Sequence, residues 1–348
     1  VTLFDAVSDL PLAIEALDLA VTERETMAFT RKTTIVTLHA DGHTGLGEDV
    51  TYEAAPHDDL NLDDLPDLSG EYTLASFSAT LDDVDLFPAG APERNVFRDY
   101  RRWGFESAAL DLALRQAETD LGAEVGQDYD PVRFVVSPRL GEPPTTDRLD
   151  ELADLHPDLE FKLDADETWS DDLIAELAAR DRTRVVDLKG QYVGTEVDQP
   201  ADPELYRRVI TSLDEALIED PGLTAETRQL LEPVSNRVTW DAPLHDVADI
   251  EDFPWAPDWL NCKPSRFGSV ESLFDFLDHC AEHDIGLYGG GQFELDVGRG
   301  QIQLLASLFY PDGPNDVAPG GYNDPDLDAG LPGSPLTPPD GVDGFRWS

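Results

Sequence analysis

The chain has 348 residues, 41% of them hydrophobic, and a formal net charge of −49 from 73 acidic against 24 basic residues. That length and apolar content suffice for a sizeable core and exclude a disordered acidic polymer. The charge argues against DNA, RNA or anionic membranes as partners, because each phosphate contact needs a cation.

The acid runs through every segment, including the polar faces of the predicted helices. This pattern indicates a whole-surface, halophilic adaptation to a high-salt cytoplasm, where screening shortens the range of self-repulsion. No run approaches about 18 apolar residues, so no membrane span is expected. The start lacks the basic region of a secretion signal. Cys262 and Cys280 are the two cysteines, too few for a disulfide framework or a four-ligand zinc site. A reduced, soluble, cytoplasmic protein is expected.

Along the chain, "IEALDLAVTE", "KTTIVTLHADG" and "HTGLGEDVTY" read as antiparallel strands, the last two joined at Asp41-Gly42. The acidic stretch "PHDDLNLDDLPDLSGE" reads as a loop. In "NVFRDYRRWGFESAALDLALRQAETDLG" the spacing of Ala109, Leu110, Ala113 and Leu114 predicts a helix that ends in glycine.

From about residue 131 the pattern becomes strand, helix, strand, helix. The strand candidates are "VRFVVS", "LEFKLDA", "RVVDLKG", "EALIED", "RVTWDA", "WLNCKPS", "IGLYGGG" and "NDVAP". Helix-like stretches such as "SDDLIAELAAR" and "VESLFDFLDHCAEH" separate most of them. Eight such units predict a (β/α)8-type barrel, with an open doubly wound sheet as the alternative. No G-x-G-x-x-G follows the first strand, which weakens a dinucleotide reading. The expected organisation is an α+β capping domain over 1–128, the barrel over 129–325, and a tail over 326–348 that returns to the capping domain.

Barrel active sites sit at the carboxyl ends of the strands. The polar residues there are Lys162 and Asp164, Asp187 and Lys189, Glu219, Asp241, and Lys263. The steps from Asp187 to Glu219, Asp241 and Lys263 are 32, 22 and 22 residues, each about one β/α unit. Three carboxylates on consecutive strand ends make an all-oxygen site of the kind Mg²⁺ uses, with Mn²⁺ able to substitute. The chain has four lysines, and three of them stand at these strand ends: Lys162 and Lys263 as candidate catalytic groups and Lys189 as a candidate substrate-binding group, with a structural ion-pair role as the alternative for Lys162 and Lys189. A metal holding a substrate carboxylate, beside a lysine that removes the α-proton and a stabilised enediolate, is the chemistry this set suits. Cations nearby should bring such a lysine toward the working range of a base. Cys262 should point away from Lys263.

These motifs resemble the enolase superfamily, in its mandelate racemase/muconate lactonizing enzyme branch. "ALIEDP" resembles its fourth-strand Glu motif and "VTWDAPLHDVADI" its fifth-strand acid. "NCKPSRFGSV" resembles the sixth-strand lysine of members related to o-succinylbenzoate synthase. "YGGGQFELDVGRGQIQLLASL" resembles the seventh-strand segment, which implies Gly290, Gln292 and Glu294 near the substrate. "TTIVTLHADGHTGLGEDVTY" and "GFESAALDLALRQA" are similar to the capping domain.

The resemblance implies Asp187, Glu219 and Asp241 as metal ligands and Lys263 as base or enediolate stabiliser. It also implies a small-molecule carboxylate substrate and, as is ordinary for the family, a homo-oligomer.

Two departures leave alternatives open. The second-strand Lys-x-Lys reads Lys162-Leu163-Asp164, and the third-strand Asp-x-Asn reads Asp187-Leu188-Lys189. "LDADETWS" also resembles the third-strand segment, which would make Asp164 the first ligand. Asp164 could equally be a base or the partner of Lys189. The incomplete lysine pair favours one-sided chemistry, a dehydration or syn elimination, over two-base racemisation. It also motivates a reading of another class, a catalytically altered barrel acting as a binding or scaffold protein.

Overall fold

The structure is a computed structural model and describes residues 2–25, 29–195 and 197–347. Five strands lie in the first part: β1 (Pro11–Ile14), β2 (Ala16–Glu25), β3 (Thr30–Ala40), β4 (His43–Asp49) and β5 (Gly70–Thr73). β1 pairs antiparallel with β5, and β2, β3 and β4 form an antiparallel sheet in that order. The β3–β4 hairpin turns at Asp41 and Gly42, both at positive φ, with Ala40 opposite His43. Two left-handed residues match the strand twist, which is why Asp-Gly marks this turn. The acidic stretch after β4 holds two short helical turns, Ala55–Asp58 and Leu62–Asp64, before β5.

A 20-residue helix, Phe97–Gln116, lies on this sheet. Its buried face includes Trp103, Phe105, Leu110 and Leu114. The approach is close because β4 presents glycines. A Cβ on Gly47 would lie 2.0 Å from the Gly104 carbonyl oxygen, and one on Gly45 2.1 Å from that of Ala108. Gly47→Ala is therefore expected to cost about 3 kcal/mol or more, since neither backbone can give way. Urea unfolding checks this, and a loss under about 1 kcal/mol, the size of an ordinary surface change, would contradict it.

The helix does not run to the expected glycine. It ends at Gln116, because Glu118 takes a left-handed φ of 55° and the Thr119 N–H donates to the Leu114 carbonyl. Gly122 instead belongs to a separate short helix, Leu121–Val125, which Asp120 caps.

The second part supplies β6 (Val135–Val136), β7 (Glu160–Asp164), β8 (Thr183–Asp187), β9 (Leu217–Glu219), β10 (Val238–Thr239), β11 (Trp259–Cys262) and β12 (Gly286–Gly289). β6 to β10 form one parallel sheet and β11–β12 another parallel pair. Backbone hydrogen bonds close the ring between them. Asn261 N–H donates to Trp240 O at 3.2 Å, Asp316 N–H to Gly289 O at 2.8 Å, and Val135 N–H to Asn315 O at 2.8 Å. Helices lie between most strands, so the architecture is a (β/α) barrel rather than an open sheet.

The eighth segment, "NDVAP", is a single bridge at Asn315 and not a strand. Pro314 and Pro319 bound it and offer no N–H to a ladder. The buried Asn315 side chain takes over part of the work, accepting from Gly289 N–H at 2.6 Å and donating to Arg133 O at 2.9 Å.

The end of the chain returns to the first part. Phe345 is buried with its ring edge-on to Trp103, its N–H donates to Asp111 Oδ1 at 2.9 Å, and Arg346 pairs with Asp111 at 2.6 Å. Among the described residues no helix is long and apolar enough to cross a membrane.

Candidate metal centre and active site

The strand register sets the site. Asp164 pairs with Asp187 and Asp187 with Glu219, so three neighbouring strands end in a carboxylate at one level. Alternation along β7 turns Lys162 inward, where it is 3% exposed. Asp241 stands two residues beyond Thr239, the partner of Glu219 on β10. Lys263 directly follows β11, and Gly290 follows β12.

Asp187, Glu219 and Asp241 are wholly buried. Each meets a lysine. Lys189 Nζ donates to Asp187 Oδ2. Lys162 Nζ donates to Glu219 Oε1 at 2.5 Å and lies 3.8 Å from Asp187. Lys263 Nζ donates to Asp241 Oδ2 at 2.7 Å. Glu219 Oε2 also accepts from Asn261 Nδ2 at 3.2 Å and from the Tyr288 hydroxyl. Asp241 Oδ2 further accepts from the Tyr192 hydroxyl at 2.8 Å and from Arg266 Nη2 at 3.3 Å.

A fourth carboxylate, Asp220, was not singled out from the sequence. It is fully buried at a positive φ of 48° and accepts the N–H groups of Asp241 and Ala242 at 2.9 and 2.8 Å. Oxygens of Asp187, Glu219 and Asp220 lie within 4.8 Å of one another, a spacing one cation can bridge; Asp241, expected as the third ligand, is not in that group and pairs with Lys263 and Arg266 instead. Asp220 also fixes the backbone from which Asp241 projects.

The other predicted residues divide. Gly290 is beside Lys263: a Cβ there would come within 2.9 Å of both Lys263 Cε and Asn261 Oδ1. The Asp164 side chain stays 60% exposed at the rim, 3.3 Å from Lys189 Nζ. Gln292 and Glu294 are buried but turn to their surroundings. Gln292 donates to the Tyr100 hydroxyl at 3.1 Å, and Glu294 accepts the Gln292 N–H at 2.7 Å. Among the described residues no hydrogen bond or ion pair joins these two to the carboxylate cluster. Cys262 is buried, and burial pushes its thiol up to about 12.

The electrostatics show an overcrowded acid cluster. Burial, with Asp241, Asp187 and Glu219 adding to it, holds the Asp220 carboxyl well above the usual range. Burial raises Glu219 as well. Asp241 goes the other way: Arg266 and Lys263 outweigh its burial and keep it ionised. Burial would lower Lys162, but Glu219 and Asp187 overcome it and hold the ammonium.

A divalent cation suits this donor set. Its oxygens are hard ligands, they are shielded from water, and Asp241 Oδ1 is buried without a hydrogen-bond partner. Arg266 Nε comes within 3.2 Å of that oxygen without hydrogen-bond geometry.

Comparison with known proteins gives the setting. No curated protein matches the chain by sequence. Two family profiles match, described as the N-terminal and C-terminal domains of a domain of unknown function, DUF8230, over residues 5–124 and 128–324. Among solved structures, a dipeptide epimerase from Methylococcus capsulatus complexed with Mg ion is 20% identical, with a TM-score of 0.65 over 86% of this chain and 88% of that one. A muconate cycloisomerase from Pseudomonas fluorescens is 19% identical, with a TM-score of 0.63 over 88% and 87%. A member of the enolase superfamily from Listeria innocua is 17% identical, with a TM-score of 0.63 over 89% and 86%. The capping domain and barrel are thus those of the enolase-superfamily fold, and the chain belongs to the DUF8230 family.

Proposed function

We propose that this chain is a divalent-metal-dependent lyase or isomerase that removes the proton α to a substrate carboxylate. One observation carries the reading: buried carboxylates on the ends of consecutive strands are flanked by Lys162 on one side and Lys263 on the other. Asp187, Glu219 and Asp241 would hold the ion, Mg²⁺ with Mn²⁺ as substitute, and Asp220 would be a further ligand or the brace of Asp241. When bound, that ion supplies positive charge opposite a substrate carboxylate that gains negative charge.

Lys263 is 8% exposed, and its stem lies against the bare backbone of Gly290, where any side chain would displace it. It is the group assigned to the α-proton or to stabilising the anion left behind. Lys162, held as an ammonium between two acids, supports charge rather than taking a proton. Asp164 on the rim is the candidate second proton carrier. Dehydration of a polyhydroxy acid, a syn elimination and a 1,1-proton transfer all use this set. The likeness to a dipeptide epimerase and a muconate cycloisomerase adds dipeptides and muconate-type acids to the compounds worth testing.

The test is a Mn²⁺ titration followed by EPR in molar KCl, which suppresses loose binding to the acidic surface. The parent protein is expected to show one tight site. Glu219→Gln should weaken it by more than the roughly 10–100-fold that losing an outer-shell partner costs. Equal binding by both proteins, or none, would remove the metal assignment and favour a binding or scaffold role for the barrel.

A further inference from the structure

Three lysines meet the buried acids, but one of them is placed differently. Among the described residues Lys162 forms ion pairs with Glu219 and Asp187, both fully buried. Lys263 pairs with the fully buried Asp241. Lys189 bridges a buried carboxylate and an exposed one: its ammonium is on Asp187 Oδ2 and 3.3 Å from Asp164 Oδ1, whose side chain is 60% exposed. It also lies 5.1 Å from the centre of the Tyr192 ring.

The backbone beneath this side chain is fixed. Lys189 has a φ of 51°, a left-handed conformation that residues other than glycine seldom adopt. Its N–H donates to Asp187 Oδ1 at 2.9 Å. The next residue, Gly190, donates to Asp220 O at 2.8 Å, and a Cβ on it would lie 2.1 Å from Gly222 N. These bonds anchor the backbone at residues 189 and 190, and rotation of the lysine side chain suffices to carry the ammonium between the two acids.

We propose that Lys189 is a tethered counter-cation that determines which ion the metal centre accepts. It covers Asp187 when no divalent ion is bound, keeps monovalent cations off that carboxylate, and moves onto Asp164 when a divalent ion arrives. This rests on the metal reading above.

The physical case has two parts. A chain of charge −49 gathers monovalent cations around itself. A tethered ammonium hydrogen-bonded to Asp187 from two residues away need not be recruited from solution, which a free cation must be. A monovalent ion brings no more charge than the ammonium it would displace. A divalent ion brings twice the charge and reaches Asp187 and Glu219 together. Asp164 already stands at contact distance from the ammonium, so the displaced charge stays paired.

The experiment compares Mn²⁺ affinity by EPR in KCl and in tetramethylammonium chloride at equal ionic strength. Parent protein, Lys189→Met and Asp164→Asn are measured. In the parent the two salts should give affinities within about twofold, since K⁺ does not reach the site. Lys189→Met should bind Mn²⁺ about tenfold more tightly in tetramethylammonium, with no charged hydrogen bond to break, and lose that gain in KCl. Asp164→Asn, a rim change that leaves the buried cluster intact, should bind about tenfold more weakly in both salts, because the displaced ammonium loses its second anchor.

The proposal is overturned if Lys189→Met matches the parent in affinity and K⁺ response, or if Asp164→Asn binds as the parent does. A tight parental site that Glu219→Gln removes while these variants change nothing would sink only the role of Lys189. Absence of any tight site in the parent would sink the metal reading and this proposal together.

Discussion

Lys263→Met is expected to lower α-proton exchange of an accepted carboxylic acid in D₂O by about 10²–10⁴-fold, the range a positioned acid or base contributes. Mn²⁺ binding should survive and become somewhat tighter. The two outcomes separate because Lys263 does not occupy a ligand position itself; it donates to Asp241 Oδ2 at 2.7 Å. Without it, Asp241 keeps the Tyr192 hydroxyl and Arg266 as partners. That carboxylate is freer to meet a cation, yet the group proposed to handle the proton is gone. Methionine retains the packing of the four-atom stem beside Gly290, so the loss reports the ammonium and not a collapsed wall. NMR of a panel of dipeptides, polyhydroxy acids and aromatic succinyl acids provides the readout. Exchange at the parental rate in the variant would remove Lys263 from the chemistry. Simultaneous loss of Mn²⁺ binding would make it a structural counter-ion of Asp241.

The strand ends were legible because a parallel barrel writes them plainly. Each buried strand is an apolar run, and the first polar residue after it marks the mouth, which is how Asp187, Glu219, Asp241 and Lys263 stand out. The side-chain pairing that joins them was not legible, since it depends on register and backbone angle. Asp164 and Asp187 both fit a first-ligand motif, but one lies on the rim and the other at the centre of the cluster. Asp220 sits one residue past Glu219 and reads as part of a motif. Only its positive φ and its two backbone N–H partners reveal it as a brace for Asp241.

Tyr288 and Asn261 could have been found, since they face each other across β11 and β12 on the same side as Lys263 and Gly290. Polar residues inside otherwise apolar strands are the signal. Tyr192 comes from a loop after β8 and carried none. The eighth strand does not form because only Val317 of "NDVAP" favours a strand, and Pro314 and Pro319 deny the segment a ladder.

Arg31 is the residue whose role the sequence concealed most, and replacing it by lysine is expected to cost about 3 kcal/mol. In "TRKTTIV" it looks like an outward cation on an alternating strand, yet it is fully buried. Its guanidinium donates to five carbonyl oxygens: those of Val50, Thr51 and Tyr52 at 2.9, 2.7 and 3.2 Å, and those of Gln292 and Phe293 at 2.9 and 3.2 Å. Five N–H donors therefore meet five acceptors. The first three acceptors follow β4 in the capping domain, and the last two follow β12 and Gly290 in the barrel.

One planar fork thus pins the two domains together beside the site. Lysine has three donors at a single point and cannot span the five carbonyls. At least two would be left buried without a partner, each costing about 1–3 kcal/mol. Urea denaturation of Arg31→Lys measures the loss. The capping-domain segment 50–52 should also become more open to protease while the proposed metal site, whose carboxylates all come from the barrel, keeps its affinity for Mn²⁺. A variant as stable as the parent would mean that the interface holds without the pin. A variant that loses Mn²⁺ binding while staying folded would mean that the capping domain helps to shape the metal centre.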